Sequence, residues 1–484
     1  MAEDGMLKKS INSGKWLTLG FILQKFFGFF SFLILARLLA PADFGIMAIV
    51  FLMPKFLQTT TEAGLTTAAI QKGGDIKKYL NPIWTIGIIK SSLILIITFF
   101  AGPIIADFFH AESASLAVRL GGLFIFIQNL ANIGELYFFK NINFKKIFIR
   151  NLSKEISYII TAIIAIFFIQ SYWVLILATL ASYITQMLST YILHPYRPKF
   201  TLKWKSLKEL IGYSKWLVGR NLLNQSYGAI ENTLVARLTD IHNMGLYSKG
   251  KSMASMVPGF LSSVMNNISF SAYSALKDSK DKICEGVVKS LHLIFFIAIP
   301  LMFLIMLATG KIILVLIGEQ WLPMANVIRL MLIFYILNNL VEISFIVFEA
   351  VGLPNKSLKF DSIKIPLTII LIIILTKPYG INGTAAAILI GTLPIVFIIP
   401  TYIKKLIGLK YRAIIKTAVL PTMLSAILSI PLLIYKNYIL QWNTIYLILL
   451  TLILGGLYLL PVYFIGKKWN YGPYNTIKII LKSK

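Results

Sequence analysis

Residues 14–46 read GKWLTLGFILQKFFGFFSFLILARLLAPADFGI, and residues 214–246 read SKWLVGRNLLNQSYGAIENTLVARLTDIHNMGL. Aligned without a gap, both segments begin with Lys-Trp-Leu and both carry Ala-Arg-Leu near the other end. A glycine follows in each copy, at Gly45 and Gly245. Anchors that stay in register at both ends of a membrane-length apolar run are typical of internal repeats. We interpret the two segments as copies of one duplicated membrane unit.

The composition of the 484 residues is that of a membrane protein. Hydrophobic residues make up 57% of the chain, and apolar runs of about 20 residues, the length that spans a bilayer, recur along it. Each run must be helical, because lipid offers the backbone no hydrogen-bonding groups. The first run is too long for a cleavable signal peptide and lacks a small-residue cleavage site. The single cysteine, Cys284, excludes an internal disulfide.

Fourteen transmembrane helices are predicted from these runs. Their loops alternate between strongly basic and weakly basic, and the basic set includes both termini. This asymmetry predicts that both termini are cytoplasmic, so the net charge of +28 is an orientation signal that also suits anionic lipid headgroups. No nucleic-acid-binding motif accompanies it. The predicted spans lie near 15–38, 44–71, 82–107, 116–139, 149–170, 172–193, 209–238, 244–272, 284–309, 325–350, 360–376, 381–403, 412–435 and 442–466.

The longest basic connection, residues 194–208, separates the sixth and seventh spans. An even number of spans keeps the second copy in the orientation of the first, which predicts two parallel six-helix lobes. The predicted domains are therefore a first lobe at 1–200, a second lobe at 201–408, and two extra helices with a cytoplasmic tail at 409–484. The fold class is an all-α integral membrane protein.

Six of the spans carry polar and charged residues at helical spacing. A charge at mid-bilayer costs about 2.5–3.5 kcal/mol, so these residues are expected to face protein or water. They lie on spans 1, 2 and 4 and on spans 7, 8 and 10, which are equivalent in the repeat, so we expect them to surround a hydrated cleft. The residues are Lys25; Lys55 and Glu62; Gln128, Asn129, Asn132 and Glu135; Arg220, Asn224, Gln225 and Glu231; Lys249 and Lys251; and Asn338, Asn339, Glu342 and Glu349.

The cations in this set suit an anionic substrate. At a rise of about 1.5 Å per residue, Lys25 and Lys55 share a level near the midplane, and Arg220, Lys249 and Lys251 extend the column to either side. A column of cations in a cleft attracts a phosphate or pyrophosphate.

Two structural alternatives stay open for these charges. Lys55 with Glu62, or Arg220 with Glu231, would form an ion pair that ties helices together. Lys154 and Glu155 lie near the cytoplasmic end of their span, where long charged side chains snorkel towards water.

Residues 245–252, GLYSKGKS, match the phosphate-loop pattern of nucleotide-binding proteins. That chemistry needs a strand before the loop and a sheet beneath it, whereas here a membrane helix is predicted. We therefore reject the motif. No catalytic, zinc-binding or cofactor-binding constellation is evident, so the chain is not expected to be an enzyme or to hold a metal or cofactor.

Several segments spread along the chain carry a family resemblance: ILARLLAPADFGIMAI at 34–49, GLTTAAIQK at 64–72, NFKKIFIRNLS at 143–153, LIGEQWLPMANVIRLM at 316–331 and GINGTAAAILIGT at 380–392. With them the chain resembles the polysaccharide transporter family, the Wzx-type oligosaccharide flippases of the multidrug/oligosaccharidyl-lipid/polysaccharide exporter superfamily. The resemblance is greatest to the WzxC-like branch.

The resemblance implies two six-helix bundles in a V shape and transport by alternating access. The implied substrate is an undecaprenyl-pyrophosphate-linked oligosaccharide, moved from the cytoplasmic to the outer leaflet of the bacterial inner membrane. The five cations would bind the pyrophosphate or acidic sugars, and six amides would bind sugar hydroxyls. Glu62, Glu231, Glu342 and Glu349 are candidates for a coupling H⁺ or Na⁺. The amides are Gln128, Asn129, Asn224, Gln225, Asn338 and Asn339.

The two extra helices resemble those that help form a lipid-tail groove in lipid II flippases. A polysaccharide polymerase and a chain-length regulator are the expected protein partners. One rival function is a drug/cation antiporter of the same superfamily, whose cleft should be acidic or aromatic. The other rival is a membrane polymerase or ligase, which would need a long outer loop, and here every predicted outer loop is short.

Overall fold

The computed structural model describes residues 2–60, 64–71, 75–203, 215–276, 279–434 and 454–458. Apart from short connections and the segment 194–203, these residues are helical, and they contain no strand, as predicted. Short 3-10 turns at Glu112–Ala114, Ile133–Glu135 and Glu319–Met324 lie between helices. The helices are α1 (Ala2–Leu38), α2 (Pro41–Thr60), α3 (Leu65–Gln71), α4 (Lys77–Phe108), α5 (Ser115–Asn129), α6 (Leu136–Lys140), α7 (Phe144–Ile166), α8 (Trp173–Leu193), α9 (Lys215–Leu238), α10 (Ile241–Ala275), α11 (Lys280–Leu316), α12 (Ala325–Ala350), α13 (Pro354–Ile407) and α14 (Tyr411–Ile434).

Eight helices among the described residues are long and apolar enough to cross a membrane, or nine if one bent pair counts as a crossing. The longest, α13, has 54 residues and includes Gly380 at φ 55°, ψ −141°, a conformation that glycine adopts without a steric penalty. This position falls between the spans predicted at 360–376 and 381–403. The total of fourteen spans stays a prediction.

The helix ends confirm the register of the repeat. Helix α1 ends at Leu38 and α2 begins at Pro41, while α9 ends at Leu238 and α10 begins at Ile241. The break has a local cause in each copy. Pro41 stands at the first position of α2, where its missing N–H costs nothing. At the start of α10, the Asp240 carboxylate accepts the backbone N–H of Asn243 at 2.7 Å, which is a helix N-cap.

The two repeat glycines lie where α2 and α10 cross at backbone contact. A Cβ on Gly45 would lie 1.9 Å from the carbonyl oxygen of Ile241, and a Cβ on Gly245 would lie 1.8 Å from the carbonyl oxygen of Pro41. Pro41 and Ile241 are themselves equivalent in the repeat, so the contact is reciprocal. Only glycine permits this approach at either position, which gives the shared Gly45/Gly245 pair its physical reason.

The chain divides into two compact units, Met1–Ser248 and Lys249–Lys484, called here the N-terminal and C-terminal units. The predicted domain boundaries near residues 200 and 408 stay predictions. Residues 245–252 lie within α10. They are helical, without the strand and loop that nucleotide binding requires, which confirms the rejection of the phosphate-loop motif.

The predicted fourth span, 116–139, is broken, because its two helical parts meet at a bend of 59°. Asn132 fills the break. Its Oδ1 accepts the N–H of Gly134 at 2.9 Å, and its Nδ2 donates to the carbonyl oxygens of His194 at 3.1 Å and Tyr196 at 2.6 Å. Asn132 therefore holds the backbone together, where the sequence had suggested a cleft-facing side chain.

The first part of the basic connection 194–208 is docked on the N-terminal unit. In this docked linker, residues 194–201, the Tyr196 hydroxyl donates to Asn81 Oδ1 at 2.7 Å and the Lys199 N–H donates to the same oxygen at 3.0 Å. The imidazole of His194 stacks on Tyr137, with ring centroids 5.5 Å apart. Burial lowers the pKa of His194, and the charges of Lys146 and Arg197 lower it further, so the ring is neutral at pH 7.

We expect Asn132→Ala to release the docked linker. The substitution removes hydrogen bonds to two carbonyls, at a cost of about 2 kcal/mol, which raises the released fraction about thirtyfold. Trypsin cleavage after Lys199 in detergent-solubilised protein measures this fraction when opening is fast. The exposed Asn141 supplies the control, and Asn141→Ala should leave cleavage unchanged. Equal cleavage of both variants would show that Asn132 does not hold the linker.

Candidate functional site

A polar cavity of about 240 Å³ lies in the N-terminal unit, between α2, α9 and the start of α10. Five of the described residues that line it are polar, and the remainder are alanines, phenylalanines, a leucine, a methionine and a glycine. This volume is enough for a small polar headgroup. The polar lining residues are Lys55, Thr59, Gln225, Asn232 and Ser248.

Helical spacing brings these side chains together. Lys55 and Thr59 lie one turn apart on α2, and the Thr59 hydroxyl donates to the Lys55 carbonyl oxygen at 2.9 Å. Gln225 and Asn232 lie two turns apart on α9, so they share a face. Ser248 reaches the cavity from α10.

The cavity offers one positive charge and several neutral hydrogen-bonding groups. Lys55 carries the only formal charge among the described residues that line the cavity. The residue is exposed on α2. An ammonium group with amide and hydroxyl donors around it binds an oxyanion by charge-assisted hydrogen bonds. An organic cation would find no carboxylate among these lining residues.

The structure places the other predicted cations differently. Lys25 is on an exposed face of α1, with Nζ 5.5 Å from the ring centroid of Phe21, and does not line this cavity. Lys249 and Lys251 are half-buried on α10 within the C-terminal unit. Arg220 belongs to α9, but its side chain lies outside the described part of the structure. Glu62 also falls outside the described residues, so neither alternative ion pair is tested.

The polar residues predicted on span 4 make contacts both with neighbouring helices and within their own helix. Gln128 accepts a hydrogen bond from Gln58 on α2 at 3.4 Å, which joins the two helices. Asn129 donates to the Ile125 carbonyl oxygen of its own helix at 2.9 Å. Glu135 forms an ion pair with Arg150 on α7, at 2.5 Å. Asn224 is exposed on α9, beside the cavity-lining Gln225.

Glu231 is fully buried on α9. The hydroxyl of Tyr247 on α10 donates to its Oε1 at 2.5 Å. This buried contact joins the two helices that flank the polar cavity. Glu231 is therefore a buried carboxyl group at the contact between α9 and α10, and its role in coupling stays a prediction.

In the C-terminal unit, a second set of polar side chains lies along α12. The Ser262 hydroxyl donates to Asn339 Oδ1 at 2.8 Å, and Asn338 Nδ2 donates to Glu342 Oε1 at 3.4 Å. The structure thus brings together three of the residues predicted on span 10. Glu349, two turns further along α12, is half-buried.

An apolar cavity of about 660 Å³ also lies in the C-terminal unit, between α11, α14 and residues 454–458. Its described lining is almost wholly aliphatic and aromatic. The Tyr458 hydroxyl donates to the Phe296 carbonyl oxygen at 3.0 Å, which joins residues 454–458 to α11. The cavity therefore involves the predicted extra helices, spans 13 and 14.

Sequence reasoning did not single out Thr59, Asn232, Ser248 or Ser262 as site residues. Thr59 and Asn232 had a usable signal, because each follows a predicted site residue at helical spacing. Ser248 occupies the repeat position of Ala48, and both residues line the polar cavity. Ser262 had no signal that separates it from other serines of α10.

The model of the family described as "Polysaccharide biosynthesis protein" matches residues 34–326. The chain belongs to this family. Among the relatives of this family member is the lipopolysaccharide biosynthesis protein WzxC of Escherichia coli (strain K12), 21% identical over 426 residues that cover 86% of each chain. This relationship confirms the family resemblance found in the sequence.

Two solved structures show that this polysaccharide biosynthesis family member has the fold of the superfamily's transporters. One is the lipid II flippase MurJ in an inward closed conformation, at a TM-score of 0.73 and 14% identity, covering 94% of this chain and 99% of that one. The other is an inward-facing multidrug resistance MATE family transporter of the MOP superfamily, at a TM-score of 0.62 and 15% identity, covering 82% and 96%. Both neighbours are membrane transporters, not enzymes.

Proposed function

We propose that this protein is a flippase that moves an undecaprenyl-pyrophosphate-linked oligosaccharide from the cytoplasmic to the outer leaflet of the bacterial inner membrane, with both of its own termini cytoplasmic. The transported glycan serves the assembly of a cell-surface polysaccharide. The polar cavity at Lys55 carries the proposal, because it is a cationic, hydrogen-bonding site on α2, a helix long and apolar enough to cross a membrane. The family membership and the transporter fold support it.

The charge of the polar cavity favours an anion over the rival substrate. A cation transporter needs carboxylates or aromatic faces arranged around its ligand. The described lining includes Phe51 and Phe56 but no carboxylate, and its formal charge is the ammonium of Lys55, with amides and hydroxyls around it. We assign the pyrophosphate to Lys55, with Lys25, Arg220, Lys249 and Lys251 as further cations along the transport path. The amides of Gln225, Asn224 and their counterparts on α5 and α12 would bind sugar hydroxyls.

The apolar cavity suits the prenyl chain of such a substrate. Burying apolar surface contributes about 25 cal/mol per Å², so a polyprenyl segment gains binding energy between Phe296, Leu304 and Leu454. Alternating access would then come from rocking of the predicted lobes. Glu62, Glu231, Glu342 and Glu349 are the earlier candidates for a coupling H⁺ or Na⁺, and a polymerase and a chain-length regulator are the proposed protein partners.

A transport assay tests this function directly. Purified protein is placed in liposomes that contain a fluorescent undecaprenyl-pyrophosphate oligosaccharide, and loss of the lipid from one leaflet is followed. We expect Lys55→Ala to slow transport about 10- to 100-fold, because a charge-assisted hydrogen bond contributes about 1.5–3 kcal/mol. Lys55→Arg, which keeps the charge, should retain more activity.

Lys289→Ala is the matched control, since Lys289 is an exposed lysine on α11 whose ammonium pairs with Glu285 at 2.6 Å. It should transport at the wild-type rate. Wild-type transport by folded Lys55→Ala would remove Lys55 from the pathway. Movement of an organic cation with no movement of the lipid-linked glycan would replace the flippase with the antiporter.

A further inference from the structure

A group of polar residues lies inside the N-terminal unit, away from the polar cavity. Lys154 and Glu155 of α7 were expected to snorkel to the membrane surface. The structure instead leaves both side chains half-buried among α1, α7 and α8. Their burial places an acid and a base within the helix bundle, where an ionised group is costly unless it has polar neighbours.

Glu155 links α7 to α1. Its carboxylate receives a side-chain hydrogen bond from Gln24, the residue that immediately precedes Lys25. The same helix pair is packed further along by Trp16 against Phe148, with ring centroids 5.2 Å apart. Gln24 and Glu155 therefore form the polar end of an otherwise aromatic α1–α7 interface.

Two cations close to Glu155 along α7, Lys154 and Arg150, each contact a further residue. Lys154 is the next residue on the same helix, and neighbours in sequence do not face each other on a helix. Its ammonium lies over the ring of Tyr183 on α8, 4.5 Å from the centroid. Arg150, one turn before, pairs with Glu135 at 2.5 Å. The ionisable groups that act electrostatically on Glu155 are Lys154 and Tyr158 on α7 and Tyr183 on α8.

The space beside Glu155 is large enough for about one water molecule. A narrow cavity of about 10 Å³ is lined by Gln24, Asn151 and Glu155, with Gly20 and apolar side chains around them. This volume is close to the smallest that holds one water. A proton can reach the carboxylate through that single water.

We propose that Glu155 is a proton-binding site that couples protonation to the movement of α1, an inference that rests on the proposed transport function. The carboxylate takes one proton from water and becomes a neutral carboxylic acid, so the site changes by one positive charge. The hydrogen bond with Gln24 then loses its charge assistance and weakens, because bonds to ionised groups are about twice as strong as neutral ones. Protonation loosens α1 from α7 one residue before Lys25.

A spin label on α1 tests the link without relying on transport. Cys284 is replaced by serine, and Gly28→Cys provides the attachment point, since a Cβ there meets no atom within 4 Å. The nitroxide mobility is recorded by electron paramagnetic resonance in nanodiscs between about pH 8 and about pH 5, which brackets carboxyl titration in proteins. We expect the label to become more mobile as the pH falls.

Glu155→Gln should abolish that pH-dependent shift, because glutamine is neutral at every pH. Glu285→Gln, at an acid on α11 whose side chain is 64% exposed, is the matched control and should preserve it. Gln24→Ala supplies a second test should Glu155→Gln not fold, and should give a mobile label at all pH values. A pH-dependent shift that persists in Glu155→Gln or in Gln24→Ala, or no shift in the wild-type background, overturns the proposal.

Transport then separates the two claims. In liposomes with an imposed pH gradient, Glu155→Gln should move the lipid-linked glycan at a rate that no longer responds to the gradient, while wild type responds. If wild type transports no glycan but the label still responds to pH through Glu155, the flippase function fails and the proton site stands. If wild type transports glycan and Glu155→Gln keeps the full gradient response, the proton site fails and the flippase function stands.

Discussion

Gly45→Ala is expected to lower the free energy of unfolding by about 3 kcal/mol, the upper end of the usual cost of overpacking. The added methyl group would lie 1.9 Å from the Ile241 carbonyl oxygen, and a carbonyl in a helix backbone cannot rotate away. Helices α2 and α10 must therefore separate. Unfolding of the detergent-solubilised protein, followed by tryptophan fluorescence, measures the loss.

Gly28→Ala is the control for this experiment. Gly28 is also a glycine within a membrane helix, but its added methyl group meets no atom within 4 Å. Alanine should be neutral or stabilising there by up to about 1 kcal/mol, since it has the higher helix propensity. If both substitutions cost the same, helix propensity and not the close approach would explain the effect.

The reciprocal contact makes a sharper prediction for the double variant Gly45→Ala/Gly245→Ala. Either methyl group alone forces the same two backbones apart, so the second one enters space already opened. The combined loss should be smaller than the sum of the two single losses, as expected for residues that share one contact. Additive losses would mean that the two ends of the crossing move independently.

Tyr247→Phe is expected to destabilise the protein by about 2–3 kcal/mol. The substitution deletes the hydroxyl that donates to the buried Glu231 carboxyl at 2.5 Å, and taking a donor away from a buried acceptor carries a cost of this size. Unfolding is measured in the same detergent. Tyr379→Phe, at a tyrosine that is 66% exposed, should leave stability unchanged.

This variant also separates two roles for Glu231. A carboxyl group that only packs α9 against α10 would lose stability in Tyr247→Phe and keep its transport rate once the protein is folded. A coupling residue would also change the dependence of transport on the imposed ion gradient. Wild-type stability in Tyr247→Phe would show that the hydroxyl contributes nothing to holding the carboxyl.

The repeat and the helix ends were readable from the sequence because they depend on local chemistry. The Arg-Leu ends and the glycine at 45 recur at fixed spacing, and the ends of α1 and α9 and the starts of α2 and α10 lie within about three residues of the predicted positions. Apolar runs likewise located α4, α8 and α12 to within a few residues. Length and composition suffice for such features, since the membrane sets the length of a span.

The side-chain partners were not readable in the same way. The first half of α7 carries polar and charged residues on several sides, as in FKKIFIRNLSKEIS. Its pattern therefore does not say which of them face protein, and the inward direction of Glu155 could not be distinguished from snorkelling. The use of Asn132 as a backbone clamp depends on His194 and Tyr196, some sixty residues away in the chain. Long-range contacts of this kind have no signature in local spacing.

The crossing of α2 and α10 has the form of a subunit interface. Pro41 meets Gly245, and Ile241 meets Gly45, which is the i-to-j and j-to-i exchange that defines an isologous contact between two copies of one protein. In an ancestor of half this length, one glycine would have served both sides of a symmetric dimer. The two copies have since come to differ, and Lys55 of the first copy corresponds to Ser255 in the second.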